Sequence, residues 1–192
     1  LLREYARPIK PLLILPEVKD TKSWLGNKLD FADDAEEIDF VFTIESSPRL
    51  AYNPNQADAS EINSWWDLVK PKWMEKIIMW DPRISGSGLA TATFWYLHPE
   101  LGLDYLRAFA ANKPVLTRDT RMQIETVSHG KYSLAVAPDP PVVNEFINAG
   151  ASVKWPKILK EGTYSTAAYG SVIVMDKIPH PNATVVFLNW LL

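Results

Sequence analysis

Residues 76–97, KIIMWDPRISGSGLATATFWYL, contain a strand, a turn and a helix in succession, and that succession decides the fold. Lys76 to Trp80 is a run of bulky side chains without polar alternation, the pattern of a strand covered on both faces. Asp81-Pro82 ends the run, because proline has no N–H to continue a ladder. Ser85-Gly86-Ser87-Gly88 forms a turn that opens the apolar, helix-length stretch Leu89 to Leu97.

The same alternation extends in both directions. Upstream, Phe40 to Ile44 and Leu50 to Tyr52 read as strands, the second ending at the turn Asn53-Pro54-Asn55. Ser64-Trp65-Trp66-Asp67 has the spacing of a capping box, which starts a short helix through Val69 that Pro71 stops. Downstream, a helix carries Leu103, Leu106, Phe109 and Ala110, and Val115-Leu116 follows as a strand. Thr120 to Gln123 reads as a second capping box, opening a helix that Gly130 closes. Tyr132 to Ala137 is a strand, and Val142, Val143, Phe146 and Ile147 share one helical face before Gly150. Ser152 to Trp155, Tyr169 to Met175 and a terminal helix from Asn182 to Leu192 complete the series. Strands alternating with helices at this spacing predict an α/β sheet with right-handed crossovers.

Composition narrows the function classes. The 192 residues are 47% apolar and 22% charged with a formal charge of −3, which is globular and excludes disorder, collagen and coiled coil. No Lys/Arg-rich run exists to neutralise phosphates along a nucleic acid, so a small molecule or a protein is the expected partner. Absence of cysteine removes thiolate nucleophiles, cysteine-ligated zinc and disulfides together. No initiator Met, signal pattern or 18-residue apolar stretch is present, and the chain reads as a fragment cut at both ends. The acidic run Asp33, Asp34, Glu36, Glu37 and Asp39 lacks the spacing of a calcium loop and reads as a solvated turn.

In α/β sheets ligands bind beyond the carboxyl ends of strands, which selects the loops Asp81 to Gly88, Thr117 to Thr120 and Ala137 to Pro141. In the first, Ser85, Gly86 and Ser87 offer hydroxyls and free N–H groups at the positive end of a helix, a natural anion site. It lacks both the third glycine of a dinucleotide fingerprint and the Gly-Lys pair of a P-loop. In the second, Thr120 caps a helix, and Arg118 and Arg121 suit a carboxylate or phosphonate. In the third, Asp139 is held among Pro138, Pro140 and Pro141, where it can cap the next helix or bind an amine or hydroxyl. Tyr164 and Tyr169 are candidates for a cleft wall. His98, His129 and His180 are scattered without zinc spacing, and no Gly-x-Ser-x-Gly elbow occurs, so no catalytic residue, metal or cofactor is assigned.

Four strings carry a resemblance to a known family: SWWDLVKPKWMEKIIMWDPRISGSG at 64–88, ETVSHGKYSLAVA at 125–137, EGTYSTAAYGSVIV at 161–174 and IPHPNATVVFLNWLL at 178–192. From about Leu13 onward the chain resembles the extracellular solute-binding proteins of bacterial ABC importers, most of all the branch with the ferric-iron binders. The resemblance implies a type II periplasmic-binding-protein fold in the α/β class, here mostly one lobe with hinge-crossing segments. Residues 1–52 would be a remnant of the first lobe with hinge strands, 53–158 the second lobe, and 159–192 the return to the first. It further implies a monomeric periplasmic or extracellular receptor that delivers a small ligand to ABC permease subunits, does no catalysis and binds no nucleic acid. In that frame the Ser85-Gly86-Ser87 turn and Thr120 match family positions that contact an anion or the ligand. Where tyrosine-type ferric binders carry an adjacent Tyr pair, this chain has Pro140 and Pro141, which favours a small organic or oxyanion ligand over iron. A sensor, the ligand-binding effector domain of a transcription regulator, is the alternative use of the same fold.

Overall fold

The computed structural model describes residues 3–166 and 170–192. The chain forms two compact units, one from residues 1–45 and 165–192, the other from 46–164. In chain order the first segment holds β1 (Ala6–Arg7), α1 (Pro16–Lys19), β2 (Asp30–Phe31), β3 (Asp39–Val41) and β4 (Glu45–Ser46). The second unit adds β5 (Leu50–Tyr52), β6 (Ile77–Trp80), α2 (Ser87–Leu97), α3 (Gly102–Ala111), β7 (Val115–Thr117), α4 (Thr120–Ser128), β8 (Leu134–Val136) and α5 (Pro140–Asn148). The chain then returns through β9 (Ser165–Thr166), β10 (Ser171–Met175) and α6 (Pro181–Leu191).

The sheet of the second unit runs β5-β8-β6-β7. β6 is parallel to both neighbours, and β5 pairs antiparallel with β8. β5, β6 and β8 divide their side chains between two cores, because successive residues point to opposite faces, while the edge strand β7 leaves Val115 and Leu116 exposed. Leu50, Tyr52, Ile77, Met79, Leu134 and Val136 join Trp95 of α2 with Tyr105 and Phe109 of α3 on one face. Ala51, Ile78 and Ala135 join Ile124 and Val127 of α4 and Val143 of α5 on the other. This double cover explains why KIIMW shows no polar alternation. The capping box at Ser64 and Asp67 is formed, but the element it opens, Trp65–Val69, is a 3₁₀ helix. The strand expected at Ser152 to Trp155 reduces to a single bridge between Tyr52 and Lys154.

The sheet of the first unit is antiparallel throughout, in the order β1-β10-β3-β2. Ile9, Leu13, Val18, Phe40, Val174 and Leu188 form its core, with Trp24 edge-on to Phe40 at 5.1 Å. Asn189 of α6 is buried there, and its amide accepts from Ile14 N and Leu15 N and donates to Leu12 O. A buried amide with this many backbone partners fixes the docking of α6 on the segment before α1.

Asp33 departs from the solvated turn expected of the acidic run. Its carboxylate accepts from the backbone N–H groups of Asp39 at 3.0 Å, Ile38 at 3.1 Å and Glu37 at 3.2 Å. These bonds, that of Asp39 foremost, hold its pKa down at about 2 against an ordinary 3.8, with Arg3 contributing charge. A depressed carboxylate stabilises the folded state above its unfolded pKa and loses that contribution as pH falls through its folded one. Acid titration of the first unit, followed by the near-ultraviolet signal of Trp24, is therefore expected to show a step between about pH 4 and pH 2. Asp33→Asn should remove that step.

Candidate functional site

Three loops follow the carboxyl ends of the parallel strands, and two side-chain contacts tie them together. After β6, Asp81 is 2% exposed. Its carboxylate takes Arg83 through Nε at 2.8 Å and Nη2 at 3.0 Å, and Nε of Arg118 at 2.9 Å. Arg118 lies in the loop after β7, so one carboxylate joins two loops. Hydrogen bonds from Arg83, then from Arg118, hold the Asp81 carboxyl far below the usual carboxylate range, and the tie persists at all but strongly acid pH. The second contact is Ser87, whose Oγ donates to Ala137 O in the loop after β8 at 2.7 Å.

The α2 N-terminus sits at this junction. Gly86 occupies the N-cap position at φ 133, a conformation that suits glycine, and no side chain caps the helix. Ser85 and Gly86 are exposed. A Cβ on Gly88 would lie 2.3 Å from Trp80 O, so the glycine lets the first turn rest on the end of β6.

Arg49, just before β5, was not singled out from the sequence. It is 3% exposed, and its Nε and Nη2 have no hydrogen-bond partner. Its guanidinium carbon lies 4.6 Å from the ring centre of Tyr164, within cation–π range. The Tyr164 hydroxyl in turn donates to Ser87 O at 3.3 Å and accepts from Thr91 Oγ1 at 3.4 Å. Arg49 O accepts from Ala137 N at 2.8 Å, and both residues have positive φ, 53 and 54. Two non-glycine residues held in the left-handed region, side by side, mark a place where the surroundings over-determine the backbone. The signal in the sequence was a cation at the start of a strand whose next three residues are all buried.

The residues singled out from the sequence fall into two groups. Ser85, Gly86, Ser87 and Tyr164 come together around the α2 N-terminus with Arg49. Thr120 is the first residue of α4 rather than its cap, since Asp119 accepts from Met122 N at 2.9 Å. Gln123 does not close a box but is fully buried, donating to Val136 O at 2.9 Å. Arg121 pairs with Glu145 of α5 through both terminal nitrogens, at 3.0 and 2.8 Å, which takes its charge along the helices. Asp139 holds the N-cap position of α5, which Pro140 and Pro141 open, without capping it. Tyr169 lies outside the described residues. No cluster of three metal-type ligands occurs among the described residues, and no helix there is long and apolar enough to cross a membrane.

The sequence profile of the bacterial extracellular solute-binding proteins matches residues 32–192. No curated protein matches the chain. Among solved structures, the periplasmic binding protein AfuA of Actinobacillus pleuropneumoniae, with fructose-6-phosphate bound, is 15% identical at a TM-score of 0.68, over 97% of this chain and 61% of AfuA. Iron-bound HitA of Pseudomonas aeruginosa is 17% identical at 0.63, over 97% and 62%. A two-component system protein that mediates signal transduction is 17% identical at 0.68, over 95% and 60%. The likeness at such identities is one of fold, the type II periplasmic-binding fold, and the chain spans about 60% of the length of these structures.

Proposed function

As the chain belongs to the bacterial extracellular solute-binding proteins, we propose that its second unit receives the anionic group of a small organic or oxyanion ligand for an ABC importer. The observation that carries this reading is Arg49. A buried guanidinium with unpaired N–H groups is costly, and neither Nε nor Nη2 of Arg49 has a hydrogen-bond partner among the described residues. Nε and Nη2 make one edge of the planar fork, the edge that fits two oxygens of a carboxylate or phosphate. The uncapped α2 N-terminus, which Tyr164 links to Arg49, supplies further donors, and the Ser85 hydroxyl is exposed just before it. AfuA's fructose-6-phosphate carries a group of this chemistry.

In this reading the second unit is the second lobe of a monomeric periplasmic or extracellular receptor. It holds its ligand without reaction and passes it to the permease subunits. Iron, the ligand of HitA, fits less well, since Pro140 and Pro141 offer no phenolate oxygen. The chain is accordingly expected to give no visible charge-transfer band with ferric citrate, and a coloured complex would count against an organic or oxyanion ligand. A sensory role draws support from the likeness to the signal-transduction protein, and it predicts the same anion contacts with a different output.

The test is calorimetric titration with inorganic phosphate and with methylphosphonate at low ionic strength. Both should bind, and Ser85→Ala should weaken each by about 1 kcal/mol, or roughly fivefold, through one lost hydrogen bond to a charged group. Absence of heat with either anion at tens-of-millimolar concentration, on the order of the weakest specific affinities, would remove the site.

A further inference from the structure

An open groove of about 530 Å³ runs along α2, lined by Ala90, Thr93, Phe94 and Leu97 and bordered by His98 and Tyr164. Its volume lies in the range of small-molecule sites. The four α2 residues are spaced i, i+3, i+4 and i+7, which places them on one face, while Thr91 and Trp95 on the opposite face are fully buried. α2 is thus apolar on both sides, although only one side has a core to meet. Leu97 is 71% exposed in the groove.

Tyr164 belongs both to this groove and to the anion site. Its hydroxyl lies on the first turn of α2, its ring carries the Arg49 guanidinium, and its centroid is 6.2 Å from the ring of Phe94. The ring of His98 continues the wall, 5.4 Å from Phe94, and its Nδ1 is occupied as acceptor for Glu100 N. We propose that the groove receives an apolar arm of the same ligand whose anionic group meets Arg49. The solute is then an amphiphilic organic anion, a carboxylate or phosphonate bearing a hydrocarbon or aromatic tail, and this rests on the anion reading above. A bare oxyanion leaves the groove unused. A polyol would bury hydroxyls against carbon without partners, which disfavours it. From Ala90 to Leu97 the helix rises about 10 Å, enough for a chain of about eight carbons.

Titration with methyl-, butyl- and octylphosphonate tests the proposal. Affinity is expected to rise about fourfold for each methylene that enters the groove, so butylphosphonate should bind more than tenfold tighter than methylphosphonate. Leu97→Ser, at an exposed position, and Ala90→Leu, which fills the groove, should each flatten the series while leaving methylphosphonate affinity unchanged. Equal affinity across the series, with methylphosphonate binding still lost in Arg49→Met, would overturn the arm and leave the anion site standing; the groove would then be covered by a segment of a longer chain or by another protein. A length dependence that survives both groove variants would likewise overturn it. Failure of all three phosphonates to bind would remove the anion site and the arm together.

Discussion

Gly88→Ala should destabilise the second unit by about 3 kcal/mol, read as a fall in the urea midpoint. The prediction runs against helix propensity, since alanine in place of glycine inside a helix favours it by about 1 kcal/mol. Geometry decides the sign. The new Cβ would stand 2.3 Å from Trp80 O and 2.9 Å from Trp80 C, below the 3.0 Å that Cβ atoms respect. Those are backbone atoms of β6, the strand hydrogen-bonded on both sides, so the strand cannot yield and α2 must lift. Lifting it breaks the bond from Ser87 to Ala137 and withdraws Ser87 from Tyr164. Phosphonate affinity should therefore fall together with stability. Leu89→Ala, one residue along at a position 46% exposed, is the control and should shift the midpoint little. Unchanged stability in Gly88→Ala would mean that α2 does not rest on Trp80.

Arg49→Met should separate stability from binding. Replacing a buried ion by an apolar side chain of similar size is often neutral or stabilising, and here Nε and Nη2 have no partner to lose. The cation–π contact with Tyr164 is given up, but a thioether over the same ring recovers a comparable amount. Without ligand the variant should gain about 1–2 kcal/mol, measured again in urea. Affinity for phosphate or methylphosphonate should drop about a hundredfold, because the anion loses a charge-assisted bidentate partner. The pairing of a more stable chain with a failed site is the mark of a residue kept for function. Loss of stability in the variant would assign Arg49 to the architecture instead.

Local rules read the layered unit well, because both faces of its sheet are covered and the helices that cover them begin at glycine, serine and proline signals. The turn at Ser85 to Gly88 is the best case, where composition alone placed an exposed helix start at the end of a buried strand. Residues 120–123 show the limit. Thr120 and Gln123 have box spacing, yet Asp119 is one residue earlier with a better acceptor, and Gln123 points at the sheet, where only tertiary packing could place it. Arg49 and Tyr164 are more than a hundred positions apart, and their meeting depends on the strap from Lys160 to Tyr164, where Thr163 Oγ1 donates to Ser47 O. No window of sequence contains that contact. The irregular region from Lys10 to Asn27 resolves into 3₁₀ turns and the four-residue α1, pieces too short to leave a period.

The sheet of the first unit has β10 inserted between β1 and β3, so a strand from the last fifth of the sequence occupies an interior position among strands from the first quarter. During synthesis the uninterrupted second unit is complete before β10 leaves the ribosome, while β1 and β3 wait with unpaired edges. Pairing them late closes a very long loop, a slow step that exposes strand edges to neighbouring chains. Vectorial assembly thus makes the first unit the part that decides yield: a pulse of protease during translation should leave the second unit intact while still cutting the segment that carries β1 and β3.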